Sequence, residues 1–522
     1  MERPLLSLTM IVKNEQENLG RCLASVRGIA DELIVVDTGS SDRTVEIARE
    51  HGAKVFHFKW CDDFAAARNV SLAHATGEWC LHLDADEWVV ESEPGALRAE
   101  LLRQPEGRYF MRVPVMSLMS GGLGRSVYGA NRLYRNRPDV AWIRPIHENV
   151  VRRGPGGPEL EGSCGSITVE HDGYADPIPE RATARNRRNT RILRRAVREN
   201  PDDPGQYYYL SIEMNLAGSP KAGLRWAREG IKRFRDRVRP DFAGALYCQA
   251  IRAAGALGKP KLAIKIGLEG AKQYAFSELC YLLAAQFQVV KDYPSAEKYY
   301  ELAQLLRTRF AEYQMEVGCG SWKAQLGLAG VAWDQGRIEL ALERAAKALE
   351  WAPEEPLVRF LYGKTLLAAG QPGAAEPHLR YAFERTPTLH EAALRLSQAL
   401  LMMERAQETY DLLDQRAHQQ PEVAEYWIWL GDFLYELGEH QACANALGAA
   451  IERHQDNAAI YQRLGQALSK LRRHQDALNA FALASALDPT SQSARASLSM
   501  AACAVEWDVV RSRLVGEAGA AT

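Results

Sequence analysis

A chain of 522 residues is longer than one ordinary hydrophobic core can organise, so two or more domains are expected. Hydrophobic residues at 47% and charged residues at 25% fit a globular protein and exclude a disordered or fibrous one. A formal net charge of -2 excludes a global basic field that would gather nucleic acid, and the nine scattered cysteines form no CxxC pair, which fits reduced thiols better than a disulfide framework or a zinc site.

The opening MERPLLSLTMIVKNE does not read as a signal peptide, because its short apolar stretch runs straight into Lys13, Asn14 and Glu15. No apolar run approaches the ~18 residues of a membrane span. The expected location is therefore the cytoplasm, with at most a peripheral contact at the inner membrane face. Residues 6–12, LSLTMIV, read as a buried strand. Glu17 to Val26 follows with Leu19, Leu23 and Val26 at helical spacing. ELIVVDTG is a second strand and SSDRTVEIAREHG a second helix, with Ser40, Ser41 or Asp42 as its cap and Gly52 as its stop. AKVFHF is a third strand, Asp63 to Ala75 a third helix, and EWCLHLDADEW runs a strand into a loop. This β-α-β-α order favours a largely parallel, doubly wound sheet, whose ligands bind beyond the C-terminal strand ends. Asn14, Asp37, Asp84 and Asp86 all fall at such ends. GPGGP at 154–158 reads as a turn within this half.

The texture changes near residue 200. A helical run from Pro179 to Glu199 joins two halves. Beyond it Gly336, Gly370, Glu404, Gly438 and Arg472 recur every 34 residues. Five residues after each stand Ala341, Ala375, Thr409, Cys443 and Ala477, and seven before each stand Ala329, Gly363, Ser397, Gly431 and Gly465. All ten are small, as close helix approach requires. Proline follows four of the units, at Pro353, Pro387, Pro421 and Pro489, with Gln455 as the exception. Weaker units centre on Gly218, Gly258 and Lys291, giving eight hairpins, with an insertion in RFAEYQMEVGCGSW. A period of 34 is that of tetratricopeptide repeats. The expected division is 1–178 α/β domain, 179–199 Arg-rich connecting helix, 200–515 all-α repeat solenoid of about eight hairpins and 516–522 flexible tail.

Asp84-Ala85-Asp86-Glu87, after the strand WCLHL, is the strongest local motif. Two carboxylates separated by one small residue suit a hard divalent cation that keeps positions open for phosphate. Alone the motif is common, and a solvated turn is the bland reading. SLTMIVKNEQENL, ELIVVDTGSSDRTVEIA, DDFAAARNVSLAHATGEWCLHLDADEW, RLYRNRPDVAWIRPIHENV and VEHDGYAD stand together over residues 5–175. In that order and spacing they resemble the family 2 glycosyltransferases of GT-A fold. The whole architecture is similar to bacterial peptide-modifying glycosyltransferases of the sublancin S-glycosyltransferase type.

The resemblance implies roles residue by residue. Asn14 and Glu15 seat the nucleoside, Asp37 accepts from the uracil ring, and Arg68 lies near the base and diphosphate. Asp84 and Asp86 form the metal–diphosphate pair, with Mn²⁺ or Mg²⁺ as cofactor. His171 is a late metal ligand or phosphate contact. Glu148 is the candidate general base, with His147 as its partner. The implied reaction is inverting transfer from a nucleotide-sugar, a UDP-sugar by resemblance, to a protein, peptide or cell-surface glycan acceptor. The repeats are expected to dock that acceptor or a protein partner in a groove. The competing reading is a repeat scaffold whose α/β domain binds nucleotide without catalysis. A nucleotidyltransferase fits less well, because KNEQENLGR lacks the glycine-rich basic segment such enzymes show. The helix ERATARNRRNTRILRRAVRE reads first as a solvated face, and second as a surface for a phosphate-rich acceptor or membrane headgroups.

Overall fold

The computed structural model describes residues 3–118, 125–153, 160–171, 179–234, 240–307, 318–453 and 457–519. The GPGGP turn, the segment 172–178 that completes VEHDGYAD, Gln455 and most of the insertion before Trp322 lie outside the described residues.

The amino-terminal half is a mixed sheet. Its elements in chain order are β1 (Leu6–Val12), α1 (Leu19–Ser25), β2 (Glu32–Asp37), α2 (Thr44–Glu50), β3 (Lys54–His57), α3 (Phe64–His74), β4 (Trp79–His82), β5 (Glu87–Glu91) and α4 (Ala96–Leu102). β6 (Arg108–Leu118), β7 (Arg125–Arg135), β8 (Val140–Ile143), β9 (Asn149–Arg152), β10 (Leu160–Ser163) and β11 (Ile167–His171) follow. The strands lie in the order β3-β2-β1-β4-β7-β6-β11-β5, with β10 also on β6 and β8–β9 a separate hairpin. β3, β2, β1 and β4 are mutually parallel, while β7 runs against both β4 and β6. β1 and β4 are buried along almost their whole length and carry mostly apolar residues, because both of their faces are covered. Leu19, Cys22, Leu23, Leu97 and Leu101 from α1 and α4 pack on Leu6, Leu8, Met10 and Leu81. Ala65 and Leu72 of α3, with Trp142 and Val150 of the hairpin, pack on Cys80, Phe110 and Tyr134 across the sheet.

Glu32 pins the opening of three strands. It is buried, and accepts from Ser7 Oγ at 2.6 Å, Thr76 N at 2.5 Å, Thr76 Oγ1 at 2.9 Å and Lys54 Nζ at 3.1 Å. Burial alone would raise its pKa; the hydroxyls of Ser7 and Thr76, the Thr76 amide and Lys54 bring it down to about 2. Because β1, β2 and β4 are parallel, their carboxyl ends open on one edge. The loops after Val12, Asp37 and His82 gather there.

The chain then becomes helical, with α5 (Pro179–Glu199), α6 (Pro204–Leu216) and α7 (Pro220–Phe234). The compact unit that begins at Met1 runs to Val358. Within it, hairpins form from α6 and α7, Pro240–Ala256 and Pro260–Gln273, Ser277–Val289 and Tyr293–Leu305, and Trp322–Asp334 and Ile338–Trp351. Trp60, Phe64 and Ile146 of the sheet half share one apolar cluster with Ile192 and Leu193 of α5 and with Tyr207 and Leu210 of α6.

The second unit, Arg359–Thr522, continues the pattern with helices Pro372–Arg385, His390–Met402, Ala406–Gln419, Ala424–Glu436, His440–Glu452, Ala458–Lys470, His474–Leu487 and Gln492–Gly519. The helix Pro356–Ala368 opens this series.

Every turn position of the five 34-residue repeats and of the three weaker units has positive φ. Gly218, Gly258, Lys291, Gly336, Gly370, Glu404, Gly438 and Arg472 range from 59° to 79°. The amide after each closes back on the carbonyl five residues before the turn residue's successor, as in Arg405 N to Leu400 O at 2.9 Å and Arg473 N to Leu468 O at 2.9 Å. This left-handed cap ends the first helix of each hairpin. Ala341, Ala375, Thr409, Cys443 and Ala477 are fully buried. A Cβ on Gly431 would meet Leu447 Cδ2 at 2.7 Å, and one on Gly465 would meet Phe481 Cε1 at 2.7 Å. Pro353, Pro387, Pro421 and Pro489 fall just beyond Trp351, Arg385, Gln419 and Leu487, the ends of second helices.

Candidate functional site

The loops after β1 and β2 are laced together. Asn14, held at φ 56°, donates its amide to Ser40 Oγ at 2.9 Å and accepts from Ser41 N at 2.8 Å. Glu15 N donates to Thr44 Oγ1 at 2.7 Å. Asp37, 5% exposed, accepts from the amides of Gly39 at 3.2 Å and Ser40 at 3.0 Å, and its Oδ2 lies 3.4 Å from His57 Nδ1. None of the expected caps, Ser40, Ser41 or Asp42, stands at the cap position of α2: the helix begins at Thr44 directly after Arg43, and Asp42, one residue earlier, accepts from Thr44 N at 3.0 Å.

The loop after β4 carries the acidic motif. α3 starts at Phe64, with Asp63 accepting from Ala66 N at 2.8 Å as its cap. One turn on, Arg68 is 6% exposed and projects between two carboxylates. Its Nη2 donates to Asp84 Oδ1 at 2.7 Å and its Nε donates to Glu148 Oε1 at 2.6 Å. The guanidinium also sits over the Trp142 ring, 5.0 Å from its centroid. Asp86 Oδ2 lies 3.2 Å from His171 Nε2. β11 runs antiparallel to β5 with His171 opposite Glu87, and this register brings His171 to the motif. Glu87 is buried, and pairs with the buried Arg132 of β7 while accepting from Asp84 N at 2.9 Å.

These contacts set the electrostatics. The packed surroundings of the Asp84 carboxyl favour its neutral form, but the charges of Arg68 and Arg132 outweigh that and hold it well below the usual carboxylate range. Burial raises the Glu87 pKa against the pull of Arg132. Burial also raises Glu15, reinforced by the charges of Asp86, Asp84 and Asp42 and opposed by the Asn18 hydrogen bond. His171 is raised: burial disfavours its charged form, but Asp86, Glu87 and Asp84 together favour it. Burial, then Arg144, lowers His147 to about 4, so its ring is neutral near pH 7.

The structure thus brings Arg68, Asp84 and Glu148 into direct contact, and pairs Asp86 with His171. Glu15 feels the charges of both aspartates. Asn14 and Asp37 form a neighbouring cluster after β1 and β2. His147, at φ 50°, stacks its ring on Tyr209 of α6 at 3.8 Å. Among the described residues no hydrogen bond joins it to Glu148. The side chains of Asp84 and Asp86 remain 44% and 43% exposed, so both can take further oxygen-directed partners.

Among the described residues no three His, Cys, Asp or Glu side chains gather as a ready-made metal cage. Two carboxylates of hard oxygen donors nonetheless fit Mg²⁺ or Mn²⁺ of the kind completed by water and substrate phosphate. Arg132 escaped the sequence reading, and Glu87 entered it only as the last residue of the acidic motif, without a role. RLYRNRP carries three arginines, and nothing in that run marks Arg132 as the one that pairs with Glu87. Arg144 also escaped it; Arg144 clasps Asp203 at the start of α6.

The model of the glycosyl transferase family 2 matches residues 7–117, and a tetratricopeptide repeat model matches residues 458–491. A TPR repeat-containing protein of Synechococcus elongatus is 40% identical over 240 residues, 44% of this chain and 57% of that protein. The SPbeta prophage-derived glycosyltransferase SunS of Bacillus subtilis is 25% identical over 236 residues, 45% of this chain and 55% of SunS. The chain therefore spans a little over half the length of these curated relatives. Among solved structures, PilW, a type IV pilus biogenesis factor, is 18% identical with a TM-score of 0.37 over 42% of this chain and 98% of PilW. The amino-terminal domain of this chain is a glycosyl transferase family 2 domain, and a tetratricopeptide repeat lies in the helical array behind it.

Proposed function

We propose that the chain is an inverting, metal-dependent glycosyltransferase that moves a sugar from a UDP-sugar to a protein, peptide or glycan acceptor. The observation that carries this reading is the arginine clamp. Arg68 ties Asp84, at the metal–diphosphate position, to Glu148, the candidate base, so donor and acceptor chemistry share one rigid group. In this reading Asp84 and Asp86 hold a divalent cation, which when bound supplies Lewis-acid stabilisation of the leaving diphosphate. Asn14, Glu15 and Asp37 seat the nucleoside. His171 orients Asp86. Arg68 fixes the Glu148 carboxylate so that it can take a proton from an acceptor hydroxyl or thiol. The neutral His147 ring, stacked on Tyr209, holds the loop that carries Glu148.

The support is the family match over β1 to β6 together with the intact acidic motif. The test is released nucleotide across UDP- and GDP-sugars with Mn²⁺. Turnover with UDP-sugars that Asp86→Asn largely abolishes, in a variant that still unfolds cooperatively, is expected. Normal turnover and metal dependence in that variant would end the assignment. Metal-dependent UDP binding without any turnover would favour the scaffold reading.

The repeats are proposed to dock the acceptor. Deleting residues 359–522, the second compact unit, should raise the acceptor concentration required and leave donor hydrolysis unchanged. Equal changes in both would make the repeats structural support.

A further inference from the structure

Helix α5 carries arginine on several sides, and the structure sorts six of them into two groups. The first group is structural. Arg191 Nη2 donates to Asp62 Oδ1 at 2.7 Å, and Arg195 Nη2 donates to the Asp62 carbonyl at 2.7 Å. Arg188 lies over the Phe64 ring, 5.1 Å from its centroid. These contacts fasten α5 to the loop that leads into α3.

The second group is Arg187, Arg194 and Arg198. All three are exposed, and among the described residues no ion pair joins any of them to a carboxylate. With Arg191 they recur at i, i+4, i+7 and i+11, a single stripe about 16 Å long. Like charges at that spacing repel, so local helix stability does not explain them. The stripe borders an open recess of about 380 Å³, lined by these four arginines with Asn186, Thr190 and Met214. Thr190 is 9% exposed, and its Oγ1 is buried without a hydrogen-bond partner. An unpartnered hydroxyl beside a row of guanidinium groups is suited to an acceptor oxygen that carries negative charge. Guanidinium matches the geometry of phosphate oxygens with paired N–H donors.

We propose that this face of α5 is a binding site for a ligand bearing two or more phosphate groups, separate from the pyrophosphate position at Asp84 and Asp86. Arg187, Arg194 and Arg198 supply the charge; the Thr190 hydroxyl, closed to solvent with the side chains as they stand, donates to one phosphate oxygen when the exposed arginine side chains beside it turn outward to the ligand. The phosphates are those of a soluble acceptor or of lipid headgroups, two sources with one chemistry.

The test is a calorimetric titration of the full chain with inorganic tripolyphosphate, in chelator and with UDP present. A parallel arm measures sedimentation with phosphatidylcholine vesicles, with and without phosphatidylglycerol. The comparison is the Arg187→Gln/Arg194→Gln/Arg198→Gln variant, whose thermal unfolding should match wild type because all three side chains are exposed. Tripolyphosphate binding that the triple variant weakens about tenfold or more, and that salt weakens, supports the site and a soluble ligand. Binding confined to phosphatidylglycerol vesicles, and lost in the variant, supports the site and assigns it to headgroups. Binding unchanged by the three substitutions, or absent from both arms, overturns the proposal. Thr190→Val, which removes the hydroxyl without altering charge, is expected to weaken the same binding several-fold; it remains informative if the triple variant is unstable.

Discussion

The Arg144 guanidinium grips the Asp203 carboxylate with two parallel hydrogen bonds, Nε to Oδ2 at 2.6 Å and Nη2 to Oδ1 at 3.0 Å. One partner stands just ahead of His147 and Glu148; the other caps α6, accepting from Gly205 N at 2.9 Å. Both side chains are largely buried, at 14% and 11% exposure. Arg144→Ala should therefore cost about 3 kcal/mol, because it leaves a carboxylate without its counter-charge. Asp203→Asn should cost a similar amount while keeping the cap, and Asp203→Ala about 1 kcal/mol more. Urea denaturation of the three variants checks this. Equal midpoints for the Asn and Ala variants would remove the capping contribution.

Arg68 faces a harder constraint. It is buried between Asp84 and Glu148, so Arg68→Met strands one carboxylate that is 44% exposed and another that is 12% exposed. The expected loss is about 3–5 kcal/mol. Arg68→Lys should recover only part of it, since one ammonium cannot reproduce two donors held in a planar fork. Thermal unfolding of both variants decides the point: a lysine variant as stable as wild type would show that charge alone suffices.

Glu32 gives the sheet an acid limit. Its folded pKa of about 2 lies below the ordinary value of 4.5. The stabilisation is complete above pH 4.5 and is lost as pH falls from there toward 2. With solvent screening allowed for, the shift corresponds to about 2 kcal/mol. Glu32→Gln should be less stable at pH 7 by roughly that amount and show a flatter stability profile between those pH values. Parallel profiles for the two proteins would contradict the assignment.

The repeat turns offer a stabilising change. Glu404 and Arg472 occupy left-handed positions, at φ 61° and 59°, where Gly438 stands in a sister repeat. A non-glycine residue there costs about 1–2 kcal/mol, part of which glycine returns through its looser unfolded state. Glu404→Gly and Arg472→Gly should each stabilise the second unit by up to about 1 kcal/mol, and Gly438→Ala should destabilise it by a similar amount. Denaturation midpoints moving in the opposite sense would refute this.

The parallel strands, the acidic loop after β4 and the repeat turns were legible because each rests on short-range chemistry. Short, mostly apolar runs, a carboxylate pair and a 34-residue spacing are all visible in a linear chain. The antiparallel strands β6 and β7 were not read. β6 includes Pro114 and the charged Arg112, which break its apolar run, and its strand character depends on partners far away in sequence. The same holds for Arg132. An arginine in RLYRNRP reads as surface until β7 places it against Glu87. The Arg68–Glu148 contact spans 80 residues, and no local pattern records it. In α5 the run of arginines read first as a solvated face and second as a surface for phosphate or headgroups, and neither reading anticipates that Arg191 and Arg195 are spent on Asp62.

Trp60, Phe64 and Ile146 are covered by side chains from α5 and α6. This bears on how the protein can be cut. A fragment stopped at residue 178 would strip that covering, bare an aromatic patch beside the helix that carries Arg68, and invite aggregation. A soluble fragment for crystallisation or assay should instead retain the chain through Val358, where the first compact unit closes.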